Sequence, residues 1–583
     1  MNTAVNPQNT LVSAMDNFTG RQVGENGNIE YSWSNNFKEL FTQFYFQLVR
    51  TVETCKLEQI LEKMLTEYKS NNPENYKDFN DIFKYEKELC LLYKLIGHTR
   101  DIVEGKGEYT LAFMQVWVWY KYFPDLALKA VETFVYTVNG EHPYGSWKDM
   151  KYLAEYVKER SGTNDHPLIK KCVTLMCKQL DTDHKDFLSG KQISLAGKWC
   201  PREKGRFAWF FKKIVKEEYK EYYETAEKSG NKKSIIGAHK KACMTMKKRL
   251  STLNKYLDTT QIKMCGKEWT NIDFNKVTSL TMHKNKNAFL NSAQKEDDDR
   301  KACAENLKNH LRDIKSGDNT KKIHGKRVNV YELVRSAYNS HNNDIVNLQW
   351  EDNKTQNRGL KNIIPMADTS GSMTVNNSIP LFNAIGLSIR VSELAVEPFK
   401  NRILTFSHDP EWVKLNDTHT FTEKVKIVSD VNCGMNTNLY AAFKMILDSA
   451  IEANLTPETV SSLTLAIFSD MHIDIASVGN VNTVMEQITE MYSEAGKKST
   501  WKTPFDPPHI LFWNLTSTSG FPVLSSTKNV TMLSGYSATL LNILCDKGVD
   551  ELKTYTPLKM ISELLSNKRY NQMKSIIMDK LYV

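Results

Sequence analysis

The chain has 583 residues, a net charge of +9, and 41% hydrophobic against 25% charged side chains. That balance excludes a disordered or fibrous chain, and the length excludes a single ordinary core, so a multidomain protein is expected. Ten scattered cysteines without one CxxC pair exclude a disulfide framework and a structural zinc site of the usual spacing.

Residues 1–30 are polar and aperiodic, and are expected to form a flexible tail. They contain no basic stretch followed by an apolar one, so no secretory leader is read and an intracellular, cytoplasmic location is expected. Residues 31–345 carry apolar side chains at three- and four-residue spacing, as in FKELFTQFYFQLVRTVETC and YEKELCLLYKLIGHTRDIV. Alternating patterns are nearly missing, so this part is expected to be an all-α domain of stacked helices, HEAT-like in arrangement. The aromatic run Phe113–Phe123 is too short for a membrane span and reads as a buried helix. No membrane partner is expected.

An Asn- and Asp-rich stretch from Asn339 to Arg358 places a linker at 346–360. Beyond it, over 361–583, the rhythm changes. Short apolar runs at 361–368, 403–407, 463–470, 509–515 and 530–535 alternate with helical stretches near 379–395, 439–453 and 482–495. Buried strands alternating with helices define an α/β domain with a doubly wound, Rossmann-like parallel sheet. Ligands in such sheets sit at the carboxyl ends of the strands.

The first of these strands ends in Asp368-Thr-Ser-Gly-Ser-Met373. Asp368, Ser370 and Ser372 are two apart in a turn that Gly371 permits, so one carboxylate and two hydroxyls converge. Thr437, just before a helix, and Asp470, ending LTLAIFSD, fall in later strand-to-helix loops, with Asp474 four residues on. Hard oxygen donors of this kind suit Mg²⁺, and also Mn²⁺ or Ca²⁺. The bland alternative is a turn whose serines only cap the next helix. Asp368, Ser370, Ser372, Thr437 and Asp470 are the expected metal ligands.

DxSxS followed by a distant Thr and a distant Asp resembles the metal-ion-dependent adhesion site of von Willebrand factor A domains. DTSGSM, GMNTN, FSDMHID, ILFWNL and LSGYS, in that order, are similar to DUF2828 proteins of plants and giant viruses. So are GKGE at 105–108, YGSWKD at 144–149, LAGKWCPRE at 195–203 and KEWTNIDFNKVTSLTMHK at 267–284. The match runs from about residue 30 to the end. The resemblance implies a Ro-like architecture: a TROVE-like helical module that binds structured RNA, then a von Willebrand A domain. If the source is a giant virus, it also admits a place in the virion.

Charge adds its own argument for RNA. Residues 351–583 hold 21 Lys and Arg against 24 Asp and Glu, which leaves +12 on residues 1–350. Basic residues concentrate at 198–255, among them Arg202, Lys204, Arg206, Lys240, Lys241, Lys247, Lys248 and Arg249. Trp199, Phe207, Trp209 and Phe210 are interleaved. Cations neutralise phosphates and aromatics stack on unpaired bases. Against this stand Glu217, Glu218, Glu221 and Glu224, and a helical spacing that puts such aromatics in a core. Arg100, Asp101 and Lys106 beside Gly105 and Gly107 form a second polar patch, with no dinucleotide fingerprint.

No catalytic residues are assigned. An aspartate nucleophile of the phosphoryl-transfer type needs a second acid two residues on, where Ser370 stands, and His472 is the one candidate base near the loop. The expectation is a non-enzymatic ribonucleoprotein scaffold. Its helical domain binds RNA, and its α/β domain binds an acidic protein ligand through the metal. The alternative is a protein-interaction scaffold alone.

Overall fold

The structure, a computed structural model, describes residues 20–50, 53–70, 79–137, 140–228, 231–339, 344–360, 362–405, 410–431, 438–472, 482–545 and 549–581. The chain divides into two compact units. One comprises 1–64 and 323–566, the other 65–322 and 567–583.

The first unit is built on a six-stranded sheet. A small antiparallel pair, β1 (Arg21–Val23) and β2 (Ile29–Tyr31), precedes it in the chain. The sheet strands are β3 (Ile363–Ala367), β4 (Arg402–Thr405), β5 (Glu411–Lys414), β6 (Thr464–Ser469), β7 (His509–Asn514) and β8 (Val530–Ser534). They lie in the order β5-β4-β3-β6-β7-β8. All neighbours are parallel except β4 and β5, which form an antiparallel edge. The sheet is therefore mixed rather than purely parallel. EWVK in β5 has only Val413 buried, so its apolar signal is too thin to announce a strand.

Strands β3, β6, β7 and β8 are buried along their whole length. Helices cover both faces of such strands, which is why they read as unbroken apolar runs. On one face, Ile364, Met366, Leu465, Ile467, Ile510, Phe512, Val530 and Met532 recur at every second position. They share a core with Phe443, Ile446, Ile488 and Tyr492 from the helices Leu439–Glu452 and Val484–Lys498. Capping boxes at Thr420/Glu423 and Thr483/Glu486 start the helices Phe421–Ser429 and Val484–Lys498. The helix Val375–Leu394 crosses the helix Val330–Tyr338 at Gly386, where a Cβ would lie 2.3 Å from Val330 Cγ1.

Three stretches depart from expectation. The expected linker holds the helix Asp344–Lys354, whose Trp350 is fully buried. Its ring stacks on Phe421 at 3.9 Å, and the Arg390 guanidinium lies 4.1 Å from its centroid. Its indole N–H donates to Glu393, which also takes the buried Lys424 ammonium at 2.7 Å. Polar composition signals a linker only where those groups face water; here they pair with one another. Second, residues 21–49, expected as tail and helical domain, pack on the α/β unit. The Asn514 amide donates to the Phe46 carbonyl, the Ser534 hydroxyl to the Tyr45 carbonyl, and Trp33 meets Phe521 edge-on at 4.9 Å. Residues 1–19 lie outside the described residues. Third, the boundaries move in both directions: residues 323–345, expected in the helical domain, belong to the α/β unit, and residues 567–583, expected in the α/β domain, belong to the helical unit.

The helical unit has no strand among the described residues. Its core holds Leu89, Tyr93, Ile96, Phe113, Met114, Trp119 and Val131, with the expected aromatic run inside the helix Tyr109–Tyr122. Arg100 is clamped on Asp149 by bonds of 2.7 and 2.9 Å, and Arg569 on Asp101 by bonds of 2.8 and 2.7 Å. Gly105 and Gly145 sit against this junction. A Cβ at Gly105 would lie 2.1 Å from the His98 carbonyl oxygen, and one at Gly145 would lie 2.0 Å from Asp149 Oδ2. Gly105 of the GKGE motif, and Gly145 and Asp149 of YGSWKD, thus have structural roles. Arg100, Asp101 and Lys106 are buried, not a surface patch. Among the described residues, no helix is long and apolar enough to cross a membrane.

Candidate metal centre

Sequence order runs from β3 to β4 on one side of β3 and from β6 to β7 on the other. Connections leaving in opposite directions open a crevice at the carboxyl ends of β3 and β6. Asp368 follows β3 directly, and Asp470 follows β6 directly. Sheet topology alone therefore brings these carboxylates, a hundred residues apart in sequence, to one place.

The Asp368 N–H donates to the Phe468 carbonyl at 3.1 Å, which prolongs the β3–β6 ladder into the site. The Ser370 N–H donates to Asp368 Oδ1 at 3.0 Å and tightens the turn. The Ser370 and Ser372 hydroxyls are 2.9 Å apart. From β6, the Ser469 hydroxyl donates to Asp368 Oδ2 at 2.5 Å. The His472 N–H donates to Asp470 Oδ1 at 3.1 Å, and His472 Nδ1 stands 3.4 Å from Asp470 Oδ2. Glu25, in the β1–β2 turn, comes within 3.6 Å of His472 Nε2, and the Asn26 amide donates to the His472 carbonyl.

Asp368 and Asp470 are both buried. Burial pushes the Asp368 carboxyl up to about 6 and the charge of Asp470 pushes the same way, against hydrogen bonds from Ser469 and Ser370. Burial pushes Asp470 up too, but the hydrogen bond and charge of His472 outweigh it and hold this carboxyl below its ordinary value. His472 rises in turn through its bond to Asp470. Asp470 Oδ2 is buried and makes no well-formed hydrogen bond, with His472 Nδ1 3.4 Å away. The backbone is strained around the site: Met471 has φ 65°, and Asn376, Asn377 and Ser378 have φ of 53°, 60° and 58°. Such left-handed residues cost on the order of 1–3 kcal/mol each and concentrate at functional sites.

The structure brings Asp368, Ser370, Ser372 and Asp470 together. Thr437 and Asp474 lie outside the described residues. Among the described residues, no group of three or more His, Cys, Asp or Glu side chains is arranged to hold a metal. The cluster instead has two carboxylates and serine hydroxyls, all hard oxygen donors, with one buried carboxylate oxygen left over. That set fits a Mg²⁺-type cation. Ser469 is absent from the expected set; a serine next to an acid at a strand end is its only signal in the sequence.

The expected RNA-binding residues divide. Arg202, Lys204, Arg206, Lys240, Lys241, Lys247 and Lys248 are exposed. Lys247 pairs with Glu203 at 2.8 Å, and Lys241 lies over the Tyr222 ring. Arg249 is consumed by Glu218 and by Asp181, the latter at 2.6 Å, and is nearly enclosed. Its place among phosphate ligands is therefore corrected: two carboxylates already neutralise it. Phe210 is core, and the Trp209 N–H donates to Glu155. His239 and Cys243 meet at 3.6 Å, with the other imidazole nitrogen 2.8 Å from the Tyr223 hydroxyl, a helix-face contact rather than a zinc site.

Fold and site thus define a chain with a helical unit and an α/β unit whose strand ends gather carboxylates and hydroxyls. Residues 166–363 match the family described as Domain of unknown function (DUF2828), and residues 362–580 match Domain of unknown function (DUF7788). The DUF2828 match holds the LAGKWCPRE and KEWTNIDFNKVTSLTMHK motifs, while GKGE and YGSWKD lie before it, so it is shorter than the expected span from about residue 30 to the end. The motifs from DTSGSM onward fall in the DUF7788 region. Over 509 residues the chain is 27% identical to the uncharacterized protein L728 of Acanthamoeba polyphaga mimivirus, covering 84% of this chain and 81% of that protein. The crystal structure of the Deinococcus radiodurans RO (RSR) protein aligns with 89% of this chain and 99% of its own, at a TM-score of 0.33 and 11% identity.

Proposed function

We propose that the α/β unit is a von Willebrand A-type binding module that holds a divalent cation, Mg²⁺ first, and presents it to an acidic group of a protein ligand. The observation that carries this reading is the pair of buried carboxylates, Asp368 and Asp470, at adjacent strand ends, with Asp470 Oδ2 making no well-formed hydrogen bond and only the His472 ring nitrogen beside it, 3.4 Å away. Two buried acids close enough to feel each other's charge repel, and a buried carboxylate oxygen without a well-formed hydrogen bond is costly. A cation relieves both. Asp368, Ser370, Ser372 and Asp470 would hold it, and Thr437 is proposed with them. With so few protein charges the ion keeps open positions for water or for a ligand's carboxylate. The reading is binding rather than catalysis, because His472 spends its Nδ1 side on Asp470 and faces Glu25 on the other.

The test is thermal denaturation of the full chain with and without millimolar Mg²⁺ or Mn²⁺. A ligand at 100 times its Kd stabilises by about 2.7 kcal/mol. The wild type gains stability and Asp368→Asn does not. Equal gains in both reject the site.

A second reading concerns the helical unit. It binds RNA, supported by exposed cations that form no ion pair among the described residues, Arg202, Lys204 and Arg206 among them. Together the two readings describe a ribonucleoprotein scaffold.

A further inference from the structure

Several cations of the helical unit that could serve a polyanion are already used. Lys213 pairs with Asp165, Lys247 with Glu203, Lys171 with Glu132 and Arg249 with Glu218. One cluster stands apart. The helix Lys148–Ser161 begins with Lys148 and Lys151, and the short helix Ala196–Trp199 ends with Lys198 and Trp199. Lys148, Lys151 and Lys198 approach the Trp199 ring at 5.9, 5.0 and 5.7 Å from its centroid. Arg202 follows three residues on, exposed, its only hydrogen bond among the described residues a long one to the Cys200 carbonyl. Among the described residues, none of these four cations forms an ion pair with a carboxylate.

Aromatic surface continues from there. Tyr152 lies 4.9 Å below Lys148 and meets Phe207 edge-on at 5.1 Å. Tyr109, exposed, sits 6.0 Å from Tyr152. Lys151 is half-buried, and its ammonium is pushed below the usual range by burial, with the charges of Lys148 and Arg202 adding to the effect. Like charges crowded without counter-charge raise the free energy of the empty site, and an anion that enters lowers it. The first turn of a helix adds its positive end at Lys148.

We propose that this cluster is a binding site for single-stranded RNA, in which Lys148, Lys151, Lys198 and Arg202 take consecutive phosphates and the Trp199 face takes an unpaired base. The assignment rests on the RNA reading of the helical unit and locates it. Single strands are favoured over duplex because a duplex offers no free base face to an aromatic ring. The long helix Lys232–Leu257 has more lysines, but among the described residues Tyr222 is the one ring that its cations border.

The experiment measures binding of a fluorescein-labelled twelve-nucleotide oligouridylate to the full chain at several salt concentrations. Three variants are compared with wild type: Lys148→Glu/Lys151→Glu, Trp199→Leu, and a charge-reversed control at Lys240, Lys241, Lys247 and Lys248. Loss of one stacked base weakens binding roughly tenfold or more. The expected result is that loss for Trp199→Leu with the wild-type salt dependence. The double glutamate variant loses more and flattens the salt slope by about 0.7 per phosphate contact removed. The control stays within about threefold of wild type. If the control alone loses binding, RNA sits on the long helix, and this site is wrong while the RNA reading stands. If wild type binds no oligonucleotide at 150 mM salt, both fail. Binding of polyglutamate, lost in the double variant, in place of RNA would make the cluster a site for an acidic protein and overturn the proposal. Circular dichroism of each variant separates lost binding from lost fold.

Discussion

The Ser469 hydroxyl reaches across from the end of β6 to donate to the Asp368 carboxylate at the end of β3, 2.5 Å away. One strand thereby orients the first acid of the site, while the same strand supplies the second acid, Asp470, at the next position. The Met471 N–H donates back to the Ser469 oxygen at 3.0 Å and fixes that hydroxyl in turn. Ser469 is a positioning residue. Ser469→Ala is expected to weaken Mn²⁺ binding 10–100-fold, the usual effect of removing a partner that orients a metal ligand, with the fold intact by circular dichroism. Unchanged affinity would mean that Asp368 needs no such support.

Gly386 permits the close crossing of the helices Val375–Leu394 and Val330–Tyr338. A Cβ there would lie 2.3 Å from Val330 Cγ1 and 2.8 Å from Val334 Cγ2. Gly386→Ala is expected to cost about 1–3 kcal/mol in urea denaturation through overpacking. Pairing it with Val330→Ala should recover part of the loss, since the two sites share one contact.

Arg569 brings the last residues of the chain into the helical unit through Asp101, both side chains almost fully enclosed. Removing one partner of a buried pair leaves the other charge uncompensated, at about 3–5 kcal/mol. Arg569→Ala should lower the denaturation midpoint of the helical unit accordingly. A truncation at 566 should do at least as much.

His509 starts β7 wholly buried, with Nε2 3.2 Å from the Thr531 hydroxyl. Burial lowers its pKa to about 4. The unfolded chain therefore takes up a proton near pH 6.5 that the folded chain refuses until about 4. Its contribution is complete above pH 6.5 and is lost as the pH falls through that window, at about 1.4 kcal/mol per pH unit. Between pH 7 and pH 5 wild type should lose about 2 kcal/mol more than His509→Gln. Parallel pH profiles of the two would place the charge-sensitive group elsewhere.

Much of the α/β unit was legible because its signals are local. Strands such as TLAIFS and HILFWN are unbroken apolar runs between helices, and an acid directly after such a run marks a strand end. The proposed ligands Asp368, Ser370, Ser372 and Asp470 follow from that pattern. What was hidden depends on pairing at long range. The helix Phe37–Gln47 is amphipathic like its neighbours in sequence, and nothing local says that it packs beside β8. The stretch 344–354 looks polar until Trp350, Arg390 and Glu393 are seen to satisfy one another. Arg249 counts as a free cation in the sequence and is a neutralised one in the fold. Lys148 and Lys151 lie some fifty residues before Trp199, so their convergence is a product of helix packing.

The central claim, a cation held between Asp368 and Asp470, is tested most directly by titrating the EDTA-treated full chain with Mn²⁺ and following free Mn²⁺ by electron paramagnetic resonance. The account predicts one site per chain in wild type, displaced by Mg²⁺, and none in Asp368→Asn or Asp470→Asn variants that remain folded. A wild-type chain that leaves all Mn²⁺ free, or a site that survives both substitutions, would contradict it.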